Sequence, residues 1–160
     1  AMEYVASQTN KPDVIVFLDG DYSDYPQQMT SLLDKIDEGY DMVIGSRHLG
    51  KSEKGSMTLP QIFGNWLATK LMKLFYGANF SDLGPFRAIK YDSLVSLQMA
   101  DKNYGWTIEM QLKAVHKRLS YTEVPMDYKN RIGTSKVSGT LKGLIGASYK
   151  IFTAIFKYRK

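Results

Sequence analysis

Apolar and polar positions divide the chain into alternating strand-like and helix-like blocks. Val14-Ile15-Val16-Phe17-Leu18 is a continuous apolar run ending in Asp19. Such a run suits a central strand covered on both faces, the usual condition of a parallel sheet. Pro26 opens a helix through Leu32, Leu33 and Ile36 that stops near Gly39. Met42-Val43-Ile44 is a second buried strand leading into Gly45-Ser46-Arg47, and the pair with its helix forms a βαβ unit. Phe63, Leu67, Leu71 and Leu74 recur at helical spacing before Gly77. Ser81 to Lys90 reads as a loop and a short strand, and Ile108, Leu112, Val115 and Leu119 mark another amphipathic helix. Tyr121 to Tyr128 alternates like a strand, with Pro125 placing it at an edge or bulge. A short helix over Met2–Ser7 and a final one from Val137 bracket these blocks, and the polar stretch 48–58 is a loop.

The length of 160 residues suits one domain with a real core. There is no cysteine, which excludes disulfides and thiolate metal sites. No stretch approaches the roughly 20 apolar residues of a membrane span, and the first residues do not read as a signal peptide. Charge changes the picture more. No acidic residue follows Asp127, whereas Lys129, Arg131, Lys136, Lys142, Lys150, Lys157, Arg159 and Lys160 do. The net charge of +5 is therefore a basic tail on a mildly acidic body, which points to an anionic partner. These cations sit in one loop and one helix, not interleaved with aromatics along a sheet, so nucleic acid is not the expected partner.

Four groups of residues carry candidate chemistry. Asp19-Gly20-Asp21 follows the first strand, and two carboxylates in a glycine-freed turn can converge on Mg2+ or Mn2+. Asp24 reads instead as a turn or helix-start residue before Pro26. Arg131-Ile132-Gly133-Thr134-Ser135-Lys136 sets two cations around a Gly/Thr/Ser turn, which reads either as a phosphate cradle that includes Ser135 and Lys136 or as a solvated basic loop. Arg87, in the Asp82-Leu83-Gly84-Pro85-Phe86-Arg87 loop, and Arg47, at the end of the second strand, can each clamp an anion or pair with a nearby acid. His48 and His116 do not form a ligand pair, and His116 is expected to be exposed.

In order along the chain, DGDYSDYP at 19–26, GSRH at 45–48, DLGPFR at 82–87, GWTIEM at 105–110 and EVPMDYKNRIGTSK at 123–136 resemble glycosyltransferase family 2, specifically its dolichol- or polyprenyl-phosphate mannosyl- and glucosyltransferases. The resemblance implies an α/β fold: a GT-A, Rossmann-like sandwich with a mainly parallel sheet. It implies transfer of a sugar from a donor such as UDP-glucose or GDP-mannose to a polyprenyl or dolichyl phosphate. The place would be the cytoplasmic side of a membrane, peripherally bound. Asp19 and Asp21 would hold the metal on the donor diphosphate, and Arg47, Arg87, Arg131 and Lys136 would hold phosphates. Asp82, with Asp19 and Asp21 a candidate catalytic residue, would line the acceptor side together with Glu109. Ser23 and Gly84-Pro85 depart from the Gln and Ser-Gly that mannosyltransferases often carry. The family fold opens with a βαβ half for the nucleotide base, which nothing before Asp13 supplies. Residues 1–136 are thus expected to be a partial GT-A domain, and the chain a C-terminal fragment without transfer activity of its own. In 137–160, Leu141, Leu144, Ile145, Phe152 and Ile155 fall on one side of a helical wheel, and Lys142, Lys150 and Lys157 gather within about 80° on another. That predicts a basic amphipathic helix at a bilayer interface, the other reading being that the same face packs on the catalytic body. A haloacid-dehalogenase-type phosphatase, with Asp19 as nucleophile and Asp21 as acid/base, and a non-enzymatic basic surface-binding module are the competing readings.

Overall fold

The computed structural model describes residues 2–133 and 141–158. Helix α1 (Met2–Ser7) leads to β1 (Val14–Phe17). A 3-10 turn at Pro26–Gln28 feeds α2 (Met29–Asp37), followed by β2 (Met42–Ser46) and α3 (Leu59–Tyr76). Then come β3 (Arg87–Lys90), α4 (Tyr91–Leu97), α5 (Trp106–His116), β4 (Tyr121–Pro125) and α6 (Leu141–Lys157). The strands order β1-β3-β2-β4 in one sheet.

The sheet is mixed, not mainly parallel. β1, β2 and β4 run one way, but β3 is inserted between β1 and β2 and is antiparallel to both; among the described residues only β2 and β4 form a parallel pair of strands. The run of β2 is buried throughout, as its composition anticipates, but β1, expected to be a central strand, lies at the edge of the sheet with its four residues only partly buried and Leu18 exposed. Burial does not encode strand direction, so the inference from run to parallel pairing failed. Alternate residues serve two cores. Ile15, Phe17, Met42, Ile44 and Ile89 meet α3, α4, α5 and α6 on one face. Val14, Val16, Val43, Ala88 and Val124 meet Leu32 and Ile36 of α2 on the other. Trp106 closes the first core edge-on against Phe17, with ring centroids 4.5 Å apart.

Two helices differ from their sequence reading in the face they bury. In α3 a capping box between Thr58 and Gln61 and a left-handed Gly77 set the ends, as the pattern anticipates. Its buried residues, however, are Asn65, Ala68, Thr69 and Met72, while Phe63 and Leu74 face outward. In α6, Ile155 is fully buried and Ile151, Ala154 and Tyr158 join the first core, but Ile145 is exposed. The expected single apolar side is therefore split, and α6 docks on α3 and α5; the side chains of Leu141, Lys142 and Leu144 lie outside the description. No helix among the described residues is long and apolar enough to cross a membrane.

Docking of α6 predicts that Ile155→Ala lowers the unfolding free energy by about 2–4 kcal/mol, the cost of a cavity at a fully buried aliphatic residue. A urea midpoint equal to that of the parent would show that α6 does not rest on the body.

Candidate active site

The antiparallel insertion of β3 brings its first residue to the same sheet edge as the last residues of β1 and β2. Arg87 pairs in register with Phe17 on one side and Ile44 on the other. The turn after β1, the Arg47 turn after β2, the 81–87 loop and the segment after β4 therefore meet at one edge, where open α/β sheets place their ligands.

The Asp19–Asp21 turn is fixed from two sides. The Asp21 carboxylate accepts from the N–H (3.1 Å) and hydroxyl of Ser23 and pairs with Arg131 at 3.0 Å. The backbone of the post-β4 segment is stitched to the same turn, with Ile132 N–H donating to the Asp21 carbonyl and Lys129 N–H to that of Ser23. The Lys129 ammonium stands 3.4 Å from the Tyr22 ring centroid. Partial burial pushes the Asp21 carboxyl upward, but Ser23 and Arg131 outweigh it and hold the group below the ordinary value. Asp19 is raised, first by desolvation of its carboxyl and then by the charge of Asp21; Arg131, Arg47 and Arg87 pull against that rise. An ionised Asp21 beside an Asp19 whose ionisation it opposes, with three arginines near them, forms a site suited to a diphosphate with its counterion.

Arg47 and Asp82 form one unit. The carboxylate, fully buried, accepts from Arg47 N–H (2.9 Å), Nε (2.8 Å) and Nη2 (2.7 Å). The guanidinium also lies over the Tyr128 ring at 5.1 Å. Asp82 is thus the anchor of Arg47 and does not open onto the cleft as an acceptor-side group. Arg87 is fully buried too, and its guanidinium donates to the carbonyls of Leu83 (3.1 Å), Gly84 (3.0 Å) and Thr107 (3.0 Å). Burial lowers it to about 10. It contributes charge near Asp19 but presents no free donor edge, because loop carbonyls occupy it. Gly84 allows this packing: a Cβ there would stand 2.3 Å from the Gly45 carbonyl oxygen.

Glu109 does not join the cluster. Its carboxylate accepts from the N–H groups of Ala100 (3.0 Å) and Asp101 (2.7 Å), pairs with Lys113 at 2.7 Å and accepts from the Tyr158 hydroxyl at 2.9 Å. It ties α5 to α6 and to the preceding loop. Burial, then the Glu109 charge, pushes the Tyr158 hydroxyl up to about 12. Ser135 and Lys136 lie outside the described residues. His116 is exposed, with Nε2 2.6 Å from the Tyr158 carbonyl. Among the described residues no group of three or more His, Cys, Asp or Glu is placed to hold a metal ion.

The residue that sequence reasoning passed over is Asp24. It is buried, Oδ2 accepts from the Asp19 N–H at 3.3 Å, and Oδ1 has no partner. A carboxylate before Pro26 reads as a turn residue because nothing local announces the β-bridge between Asp24 and Tyr128 that closes over it. Desolvation raises it to about 6, with the Asp19 charge adding. A folded-state value above the unfolded one means that folding favours the protonated form. The cost of burying the ionised carboxylate therefore builds as pH rises from about 4 to about 6 and stays constant above. In the metal-free chain, Asp24→Asn should be more stable than the parent by about 2–3 kcal/mol at pH 8 and nearly equal at pH 4. Denaturant unfolding at the two pH values measures it, and a pH-independent difference would contradict the placement.

The chain is similar to glycosyltransferases in sequence and in fold. The chain is 28% identical over 136 residues to an undecaprenyl-phosphate mannosyltransferase of Micrococcus luteus, covering 82% of this chain and 56% of that protein. It is 30% identical over 141 residues to a dolichyl-phosphate hexose transferase of Haloferax volcanii, covering 86% and 59% respectively. The chain thus spans little more than half the length of these two relatives. Among solved structures, glucosyl-3-phosphoglycerate synthase from Mycobacterium tuberculosis, in complex with Mn2+, UDP-glucose and phosphoglyceric acid, superposes with a TM-score of 0.69. That match has 19% identity over 97% of this chain and 51% of the other, and so speaks to the fold, which is GT-A-like. Residues 1–97 match the model of glycosyl transferase family 2, and the chain belongs to that family.

Proposed function

We propose that this chain carries the catalytic edge of a hexosyltransferase that moves a sugar from a nucleotide diphosphate to a polyprenyl or dolichyl phosphate at a membrane surface. The observation that carries the reading is the convergence of Asp19, Asp21, Arg131 and the Arg47–Asp82 pair at one sheet edge. The two relatives with lipid-phosphate names support the acceptor class.

The carboxylates of Asp19 and Asp21 would be the residues that hold a divalent cation, as hard oxygen ligands. Mg2+ or Mn2+ bound there would supply Lewis-acid stabilisation of the departing nucleoside diphosphate. The rest of the work falls to the chain. Asp21, held ionised by Ser23 and Arg131, is ready as a ligand at neutral pH. Arg131, bound to Asp21 in the free protein, is placed to exchange that carboxylate for a phosphate oxygen. Arg47 keeps its charge and orientation because Asp82 and Tyr128 lock its fork, so its field at Asp19 is preorganised. Arg87 and Asp24 act as positioning residues, one for the 83–84 loop and one for the Asp19 N–H. A lipid phosphate is already an anionic nucleophile at neutral pH, so sugar transfer to it asks for no strong general base. In this reading Glu109 and Asp82 have structural duties, and the lipid-phosphate site includes Arg131 with Ser135 and Lys136.

The test is transfer of labelled sugar from UDP-glucose or GDP-mannose to polyprenyl phosphate by a complete enzyme in which these residues are joined to a nucleotide-binding half. Asp19→Asn and Asp21→Asn should each lower the rate roughly a hundredfold or more with an unchanged unfolding midpoint. Arg131→Ala should raise the KM for polyprenyl phosphate, with a larger loss at low salt. Full activity of either carboxylate variant in the presence of a chelator would overturn the reading.

A further inference from the structure

α3 turns its apolar residues the wrong way for a helix on a water-facing surface. The side toward the body carries Asn65 and Thr69 beside Ala68 and Met72. The side toward solvent carries Leu59, Phe63 (61% exposed), Trp66 (51%) and Leu74 (73%), followed by Lys70 and Lys73 on the same face. Phe63 and Trp66 lie side by side, ring centroids 5.8 Å apart. α6 repeats the arrangement. With Ile151, Ala154, Ile155 and Tyr158 committed to the core, a second stripe of Ile145, Tyr149, half-buried Phe152 and Phe156 runs along its outer side at i, i+4, i+7 and i+11. The helices pack together, with Phe75 and Phe156 ring centroids 5.8 Å apart and the Tyr76 hydroxyl donating to the Ile155 carbonyl. Each outer row is more continuous than the scattered apolar exposure of an ordinary surface, and the contact at Phe156 sets the two helices side by side.

The charge around this face says what covers it. Residues 54–81 and 128–160, which contain both helices, hold none of the 16 acidic residues and 11 of the 21 basic ones. An apolar strip with aromatics at its edge, on two helices that themselves carry lysines and no acidic residue, matches the boundary between acyl chains and anionic headgroups. The capping box and Pro60 hold the start of α3 in shape, so Phe63 and Trp66 are presented on a preformed helix and binding need not order them.

We propose that the joint outer face of α3 and α6 is a docking surface for an anionic lipid bilayer, with Phe63 and Trp66 entering the acyl boundary and Lys70, Lys73 and Lys157 at the headgroups. This deepens the membrane-surface part of the reading above and rests on it, but moves the anchor from the C-terminal helix alone to α3 with α6.

The experiment is co-sedimentation of the full chain with vesicles of phosphatidylcholine alone or mixed with phosphatidylglycerol. Neither contains an acceptor phosphate lipid or a sugar donor, so failure here leaves the transferase reading standing, and absence of sugar transfer leaves this one standing. The parent should bind the mixed vesicles, more weakly as salt rises. Phe63→Glu/Trp66→Glu and Ile145→Glu/Tyr149→Glu should each lose at least about tenfold in partitioning with unchanged unfolding midpoints, because the altered side chains are solvent-facing. In a Trp106→Phe chain, which keeps the outer face intact, Trp66 emission should be quenched by brominated acyl chains. Parent-like partitioning of the α3 variant, or unquenched Trp66 in vesicle-bound protein, would overturn the proposal. So would a parent that ignores vesicles but forms a dimer that Phe63→Glu/Trp66→Glu dissociates, which would give the face to a second copy.

Discussion

The buried Arg47–Asp82 pair is the interaction on which the active edge depends. Asp82 has no exposure, and its charge is tolerable only because one arginine supplies a backbone N–H and two guanidinium donors while a second, Arg87, lies nearby. Removing one member would strand a charge in a low-dielectric interior, typically at about 3–5 kcal/mol. The pair also decides geometry. It ties the end of β2 to the loop entering β3, and that loop is held again by Glu123 on the N–H groups of Ser81 and Asp82, by Asn65 on that of Leu83 and by Gln111 on the Asp82 carbonyl. The antiparallel strand that interrupts the parallel order is seated by these bonds. Without it Arg87 would not meet Phe17 and Ile44 in register, and the carboxylate turn after β1 would face no cations from β2 or β3.

The remaining wall comes from far along the chain. The segment after β4 returns across the sheet edge, where Tyr128 bridges to Asp24 and Ser52 and lies under Arg47, and where Arg131 reaches Asp21. Asp127 fixes its course by exchanging two hydrogen bonds with Gln28 and accepting from Lys51 N–H. An early acidic turn and a late basic segment thus form one site through side chains that are themselves buried or paired. That is the preorganisation expected where charge must be stabilised without reorganisation cost.

Legibility from sequence followed the range of the interaction involved. The strands before Asp19 and Arg47, the helices and the Asp19-Gly20-Asp21 turn were readable because apolar period and turn residues are local signals. Strand direction was not, since a two-face-buried strand has the same composition in either sense. Arg47 and Arg87 looked equivalent, each an arginine at a strand end, and only tertiary placement separates a fork locked by a carboxylate from one sunk among carbonyls. Asp24 looked like an ordinary turn residue because the strand that buries it lies about a hundred residues away. In α3 the 3.6-residue period was visible, but both faces are apolar enough that periodicity could not say which one packs.

Taken together, the edge is a cation-rich bay with two coupled carboxylates at its mouth, and the central claim is that these carboxylates bind a metal–diphosphate. Electron paramagnetic resonance of free Mn2+, titrated with the protein in the presence and absence of UDP, tests it most directly. The account predicts that the free Mn2+ signal falls more steeply when UDP is present, and that Asp19→Asn/Asp21→Asn removes the UDP-dependent part while leaving the protein folded. The same UDP-dependent loss of signal in parent and double variant would place the metal elsewhere and contradict it.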